Sequence, residues 1–141
     1  MRRALRRALG RPLRLGVLAL AILGAPWVGR VIRSWPHRVA VEGRSMAPTL
    51  GAGDWLLVDP AAYRDHRPAV GDIVVAPDPR EPARLLVKRV AVVGADGSVE
   101  LRGDALDAST DSRAFGPLPS EAVMGRAWAR YWPPRRVGLL R

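Results

Sequence analysis

Two patterns of apolar residues divide the chain. An uncharged run extends from Leu15 to Gly29 and is closed by Arg30 and Arg33. From Val39 onward, short apolar runs are separated by glycine, proline and aspartate, and no 3.6-residue period persists over ten residues. The first pattern predicts a helix, and the second predicts strands joined by turns. We therefore expect one N-terminal apolar helix followed by an all-β domain.

The β-type region contains six candidate strands. Their predicted bounds are Val39–Glu42, Trp55–Val58, Asp72–Ala76, Leu85–Val93, Ser98–Arg102 and Val123–Trp132. The Ala-Asp-Gly turn at 95–97 predicts that the fourth and fifth strands form a hairpin. Segments 59–71 and 77–83 are rich in proline and aspartate and are expected to be loops without chemistry. The predicted fold is all-β, a small mixed or antiparallel β-barrel-like core covering residues 39–141.

The N-terminal segment, residues 1–38, fits a membrane anchor best. Six arginines precede its uncharged run and three follow it, with no acidic residue. The run forms a helix of about 22 Å, so flanking apolar residues and snorkelling arginines must help it to span a hydrocarbon core of about 30 Å. The arginine excess predicts a single span with a cytoplasmic N-terminus and an extracytoplasmic domain. A cleavable signal peptide and a peripheral amphipathic helix stay open as alternatives.

The net charge of +10 belongs almost entirely to this segment. Residues 1–38 carry nine arginines, whereas residues 39–141 carry 14 basic and 13 acidic side chains. Membrane topology explains this distribution better than phosphate binding, and no nucleic-acid partner is expected. The chain has no cysteine, which excludes a disulfide framework and a cysteine nucleophile. His37 and His66 are too few for a histidine metal site, and we expect no metal or cofactor.

One residue stands out in this composition, because Lys88 is the only lysine beside 22 arginines. Guanidinium stays protonated at physiological pH, whereas an ammonium buried among apolar groups can lose its proton and become a base. On a strand, Lys88 shares one face with Leu86 and Val90, and the alternate residues share the other face. The amine is therefore expected to lie among apolar neighbours, although the pattern does not decide which face is the core.

Four short blocks occur in a characteristic order. They are Ser45-Met46-Ala47-Pro48-Thr49-Leu50, Gly71-Asp72-Ile73-Val74, Lys88-Arg89-Val90, and Gly103-Asp104 followed by Ser109-Thr110-Asp111-Ser112-Arg113-Ala114-Phe115-Gly116. Over about residues 39–130 the chain resembles the type I signal peptidase family, membrane-anchored serine proteases that use a Ser/Lys dyad. Each block alone is weakly specific, but all four in order behind an apolar N-terminal segment are highly specific.

The resemblance implies a reacting pair and one supporting hydroxyl. Ser45 is expected to be the nucleophile, and Lys88 is expected to be the general base. Lysine can take the hydroxyl proton only when its amine is neutral. Ser109 matches the family serine that holds the lysine amine by a hydrogen bond.

The resemblance also implies a scaffold and a substrate cleft. Three charged residues are expected to form an ion-pair network under the site: Asp111, Arg113 and Arg89. Four residues are expected to contact the substrate: Val41, Gly43, Met46 and Leu86. The substrate is expected to be a precursor protein or peptide with small residues before the cut, bound as an added strand along residues 41–44 and 84–87.

The chain departs from the family pattern in three ways. Well-known members carry a hydroxyl residue two positions before the nucleophile as a second oxyanion donor, where this chain has Gly43; the Ser45 backbone N–H stays a candidate donor. Ala105 occupies a position where the family commonly has asparagine. Only 14 residues separate Lys88 from Gly103, so the large second β-domain of longer members is absent. The resemblance is to a minimal catalytic core.

We expect a serine endopeptidase of the inner or plasma membrane that removes targeting or pro-segments, with the precursor and membrane lipid as partners. Minimal members also include peptidases dedicated to one precursor, notably nickel-type superoxide dismutase, and residues 107–116 are similar to that branch. Two other classes stay open: a catalytically silent anchored β-domain that acts as an interaction module, and a self-cleaving repressor. The repressor would need a helix-turn-helix, which residues 1–38 do not contain.

Overall fold

A computed structural model of the chain describes residues 26–34 and 37–141. Residues 26–34 are helical (α1) and expose Trp27, Val28 and Ile32. Within these described ranges, no helix has both the length and the apolar character needed to cross a membrane. Most of the uncharged run predicted to be an anchor lies outside the described residues. Ser34–Arg141 forms one compact unit, and the domain division predicted at residue 38 stays a prediction.

Eight strands build this unit. They are β1 (Arg38–Ala40), β2 (Trp55–Asp59), β3 (Ile73–Asp78), β4 (Glu81–Val93), β5 (Ser98–Arg102), β6 (Leu118–Pro119), β7 (Gly125–Trp132) and β8 (Gly138–Leu139). A short helix, α2 (Ser112–Phe115), precedes β6, and single 3-10 turns cover Ser120–Ala122 and Pro134–Arg136. The all-β prediction is confirmed for these residues. The two shortest strands, β6 and β8, were not predicted.

The strands form one open antiparallel sheet. Their order is β1-β2-β7-β3-β4-β5-β6, with β8 paired to β7. The pairs between described strands are all antiparallel, which corrects the mixed-sheet alternative. The order has two ends, β1 and β6, so the expected barrel does not close by strand pairing. Both end strands are short, three and two residues, and offer few groups for a closing ladder.

The largest difference from the predicted strands lies between β3 and β4. A loop was predicted over residues 77–83, but β3 continues to Asp78 and β4 begins at Glu81. Proline favours a loop prediction because it cannot donate a hydrogen bond to a ladder. Pro82 is tolerated in β4 because it lies in an irregular stretch, residues 82–84, that has no ladder partner between the Asp78–Glu81 and Pro77–Leu85 pairs.

The central strand β3 supplies both halves of the hydrophobic core. Its side chains alternate, so Ile73 and Val75 enter one buried cluster while Val74 and Ala76 enter another. The first cluster also contains Val41, Met46, Leu50, Leu56, Val58, Val87, Ala127 and Leu140. The second also contains Val90, Val99, Leu101 and Leu118. Because both faces are covered, β3 and the middle of β4 are continuous apolar runs with no polar alternation.

Leu56 provides a test of this core. It lies in β2 with no exposed surface, so we expect Leu56→Ala to lower the free energy of unfolding by about 2–5 kcal/mol through the cavity it leaves. Leu106, which is 74% exposed, is the matched control, and Leu106→Ala is expected to change it by less than about 0.5 kcal/mol. Urea unfolding of the full chain, followed by tryptophan fluorescence, measures both. Equal effects would contradict the burial of Leu56.

Candidate active site

Ser45 lies in a helical turn between β1 and β2. The Ala47 N–H donates to the Arg44 carbonyl at 3.0 Å, and the Leu50 N–H donates to the Met46 carbonyl at 2.8 Å. Met46 and Leu50 are fully buried in the first core cluster and anchor the turn. Ser45 itself is half-buried and is presented beside these anchors.

Further hydrogen bonds hold this turn to the rest of the unit. The Ser45 carbonyl accepts from the Ala105 N–H at 2.9 Å. The Thr49 carbonyl accepts from Arg130 at 3.0 Å, and Arg130 is paired with the buried carboxylate of Asp54 at 3.0 Å. Ala105 contributes its backbone here, so a side chain other than the family's usual asparagine leaves this contact intact.

Lys88 lies on the part of β4 that is buried on both faces. It is directly opposite Val74 of β3, and Leu86 and Val90 share its face of the strand. The Lys88 residue is only 3% exposed. Burial is the main cause that lowers the pKa of its amine. The nearby charge of Asp111 opposes this shift.

A chain of two hydrogen bonds orients the Lys88 amine. Lys88 Nζ lies 2.9 Å from Ser109 Oγ, and the Ser109 hydroxyl donates to Asp111 Oδ2 at 2.8 Å. A hydroxyl has a single proton, so Ser109 accepts from Lys88 while it donates to Asp111. The lysine therefore uses one N–H on Ser109, and the lone pair of a neutral amine stays available for another proton.

Asp111 is the centre of this hydrogen-bonded group. It is 1% exposed and accepts from Ser109, from the Gly103 N–H at 3.1 Å, and from Arg113 through Nε at 2.9 Å and Nη2 at 2.8 Å. These donors, of which Arg113 has the largest effect, hold the pKa of the Asp111 carboxyl well below its usual range. Asp111 also caps α2 by accepting from the Arg113 backbone N–H. The predicted pairing of Asp111 with Arg113 is present.

Arg89 lies outside this group, unlike the predicted network. Its guanidinium pairs with Asp104 at 2.9 and 2.8 Å and donates to the carbonyls of Gly71 at 2.8 Å and Arg141 at 3.0 Å. The reason is the period of the strand, because Arg89 and Lys88 are neighbours and point to opposite faces of β4. The expected three-residue network is therefore two separate ion pairs.

Gly103 lies at the site, although the sequence motif that contains it indicated no separate role for this residue. A Cβ atom there would overlap the Ser109 hydroxyl and the Ser45 carbonyl oxygen, both closer than the 3.0 Å that real Cβ atoms keep. Only glycine therefore lets the backbone that follows β5 approach both the turn at Ser45 and the side chain of Ser109. A glycine directly after a predicted strand was the available signal, since such a glycine can mark a close backbone approach.

Ser45 and Lys88 lie at one cleft of about 510 Å³. Its walls are residues 38–46 and residues 83–88, with Ala108 and Thr110. Both Ser45 and Lys88 line it, and so do the four predicted substrate contacts Val41, Gly43, Met46 and Leu86. In the described part of the chain, the Lys88 amine is bonded to Ser109 and not to Ser45.

The cleft walls have unpaired backbone edges. Among the described strands, β1 is an end strand that pairs only with β2, and residues 85–88 of β4 pair only with β3. Such edges can accept an additional extended chain by main-chain hydrogen bonds. Gly43 leaves open space beside this wall, because a Cβ there would contact nothing within 4 Å.

Comparison with known proteins identifies the family of the chain. Residues 13–106 and 95–132 match the family described as signal peptidase, peptidase S26. The chain is 37% identical over 134 residues to mitochondrial ATP-independent inner membrane protease subunit 1a of Arabidopsis thaliana, covering 79% of this chain and 78% of that protein. It is 32% identical over 122 residues to human mitochondrial inner membrane protease subunit 1, covering 73% and 74%. It is 30% identical over 143 residues to the probable signal peptidase I-1 of a Synechocystis strain, covering 71% and 73%. The chain therefore belongs to the signal peptidase family, peptidase S26.

Proposed function

We propose that the chain is a serine endopeptidase in which Ser45 is the nucleophile and Lys88 is the general base. The observation that supports this most strongly is the position of the Lys88 amine, which is buried, bonded to Ser109 and in the same cleft as Ser45. Burial favours the neutral amine, and only the neutral amine can accept the serine proton.

The proposed reaction needs no group beyond these side chains and water. Ser45 Oγ attacks the scissile carbonyl carbon while Lys88 takes its proton, and the Ser45 backbone N–H is the candidate donor to the resulting oxyanion. The protonated Lys88 then gives its proton to the leaving amine as the peptide bond breaks. Water, deprotonated by Lys88, attacks the ester carbonyl carbon. Lys88 then returns this proton to Ser45 Oγ as the ester bond breaks, and the N-terminal fragment of the substrate leaves as a carboxylic acid that ionises in water.

We propose a precursor protein bound as an extended strand as the substrate. The unpaired edges along residues 41–44 and 84–87 would supply main-chain hydrogen bonds, and side chains would give specificity. Val41, Gly43, Met46 and Leu86 line the cleft and would contact small residues before the cut.

We also propose a membrane location with a single span and an extracytoplasmic catalytic unit. The relatives named above include inner membrane proteases, and residues 1–38 combine a basic flank with an uncharged run. Removal of targeting segments at that surface is the proposed role. Dedication to a single precursor, such as nickel-type superoxide dismutase, stays a prediction.

The first test is cleavage of a panel of precursors with small residues at the minus-one and minus-three positions, using the full chain in detergent. We expect Ser45→Ala and Lys88→Arg each to lower kcat/KM by about 10³-fold or more, because guanidinium cannot accept the proton. Ser120→Ala and Arg64→Lys, which lie at a different cavity, are controls and should retain activity.

Activity retained in Lys88→Arg would refute the dyad. Cleavage of one precursor of the panel, with all others untouched, would favour a dedicated peptidase. Function preserved in both Ser45→Ala and Lys88→Arg would favour the silent interaction module.

A second prediction concerns the pH profile. The neutral amine is the active form, so kcat/KM should rise with pH along an acidic limb that lies below the ordinary lysine pKa of 10.5. Arg113 lowers the pKa of Lys88 by its charge and also balances Asp111, whose charge raises it. Arg113→Gln should therefore raise the pKa and move the acidic limb to higher pH.

The matched control is Arg102→Gln, which removes an exposed ion pair with Glu100. We expect its profile to coincide with that of the wild type. A limb that stays in place or moves to lower pH in Arg113→Gln would contradict the proposed balance of charges around Lys88.

A third prediction concerns Gly103. The Cβ of Gly103→Ala would displace the Ser109 hydroxyl and the Ser45 carbonyl, so we expect kcat to fall by about 10²-fold, as misplaced reacting groups do. Gly138→Ala is the control, because a Cβ there meets nothing within 4 Å. Circular dichroism should show that both variants are folded. An unchanged kcat in folded Gly103→Ala would contradict the close approach.

A further inference from the structure

The cleft is lined by positively charged side chains that have no role in the proposed reaction. Arg38, Arg44 and Arg84 line it together with Lys88, and Glu42 is the one carboxylate among its lining residues. Residues 39–141 as a whole are nearly neutral, with 14 basic and 13 acidic side chains. Positive charge is therefore concentrated where a substrate would bind.

Two of these arginines have no carboxylate partner. Arg44 and Arg84 are exposed, and within the described residues neither forms an ion pair. Many other arginines of this unit are occupied by carboxylates: Arg80 by Asp78, Arg89 by Asp104, Arg113 by Asp111, Arg126 by Asp72 and Arg130 by Asp54. A guanidinium binds a carboxylate through two parallel hydrogen bonds, so Arg84 retains this capacity for a ligand.

The position of Arg84 along β4 indicates which part of a substrate it would meet. Arg84 precedes Lys88 by four residues in β4, at the end of an irregular stretch, and both residues line the cleft. Their backbone positions are at most about 13 Å apart at 3.3 Å per residue, and a peptide that adds to this edge has the same rise per residue. With its scissile bond at Ser45 and Lys88, and with the residues before the cut along 84–87 as proposed above, the peptide would place a residue about four positions before the cut beside Arg84.

We propose that this cleft selects precursors that carry an aspartate or glutamate about four residues before the scissile bond, with Arg84 as the specificity-determining residue. The proposal rests on the proposed function, because Ser45 and Lys88 define where the bond lies. A peptide is favoured over a lipid headgroup, since Arg84 lies on an unpaired strand edge inside the cleft that contains Ser45.

The same geometry predicts that the preference depends on position. The charge of Arg84 lowers the pKa of Lys88, so a substrate carboxylate that pairs with Arg84 would partly reverse this shift, but at a pH above the acidic limb the base stays in its active form. A carboxylate at the minus-one or minus-two position would lie close to Lys88 and would favour its protonated, inactive form. We therefore expect acidic residues to help near minus four and to hinder next to the cut.

The test compares two peptides that differ only by glutamate or glutamine at minus four, at a pH above the acidic limb and in low salt. We expect the full chain to prefer the glutamate peptide about two- to fivefold in kcat/KM, the size of an exposed ion pair. Arg84→Gln should bring this ratio to about one, and Arg84→Glu should favour a lysine peptide instead. Arg64→Gln, an exposed arginine at another cavity, should keep the wild-type ratio. Each ratio is taken within one enzyme, so a change in the Lys88 pKa that is caused by the substitution affects both peptides and cancels.

The binding arm uses the Ser45→Ala chain and measures the Kd of each fluorescent peptide by anisotropy. Tighter binding of the glutamate peptide that weakens as salt rises supports the acidic preference of the cleft at Arg84. If the wild type then cuts neither peptide, the proposed function fails while the acidic binding preference stands. Equal kcat/KM and equal Kd for the two peptides overturn this proposal and leave the proposed function standing. A loss of kcat/KM in Arg84→Gln that is equal for both peptides and is seen only with anionic vesicles would assign Arg84 to lipid binding. That result would also overturn the proposal.

Discussion

The proposed chemistry depends on favouring a neutral amine beside a carboxylate that stays charged. Burial of Lys88 lowers the pKa of its amine, but the charge of Asp111, at the end of the hydrogen-bond chain through Ser109, raises it. Two arginines oppose the effect of Asp111. The charges of Arg84 and Arg113 both lower the pKa of Lys88, and Arg113 also pairs with Asp111 through two hydrogen bonds, so Asp111 can orient Ser109 while the pKa of Lys88 stays lowered.

The sheet makes this arrangement possible because it is incomplete. A closed barrel would bury the backbone edges of β1 and the first half of β4 in strand pairs. In this chain those edges remain unpaired and border the cleft that contains Ser45 and Lys88. The short end strands and Pro82 both limit closure, and an unpaired edge is also where a proline costs least.

The Ser45 turn is held through its own backbone carbonyls and two buried side chains. Its carbonyls at Ser45 and Thr49 are bonded to Ala105 and Arg130, and its buried Met46 and Leu50 are packed in the core. Backbone contacts tolerate changes of side chain, which explains why Ala105 can stand at this position. They do not tolerate added bulk at Gly103, where the chain passes close to the same turn.

The sequence by itself determined the all-β class, the hairpin of β4 and β5, the singular lysine and the pairing of Asp111 with Arg113. These follow from local periodicity, from composition and from a four-block motif. Each strand pattern and each block of the motif is carried by residues that are near one another along the chain. Tertiary structure alone decided the open sheet, the extension of β3 and β4 into residues 77–78 and 81–83, the partner of Arg89, the close approach at Gly103 and the charge of the cleft. Each of these depends on which strand edges and side chains meet across the fold, and the sequence pattern of a single strand is the same whether its edge is paired or free.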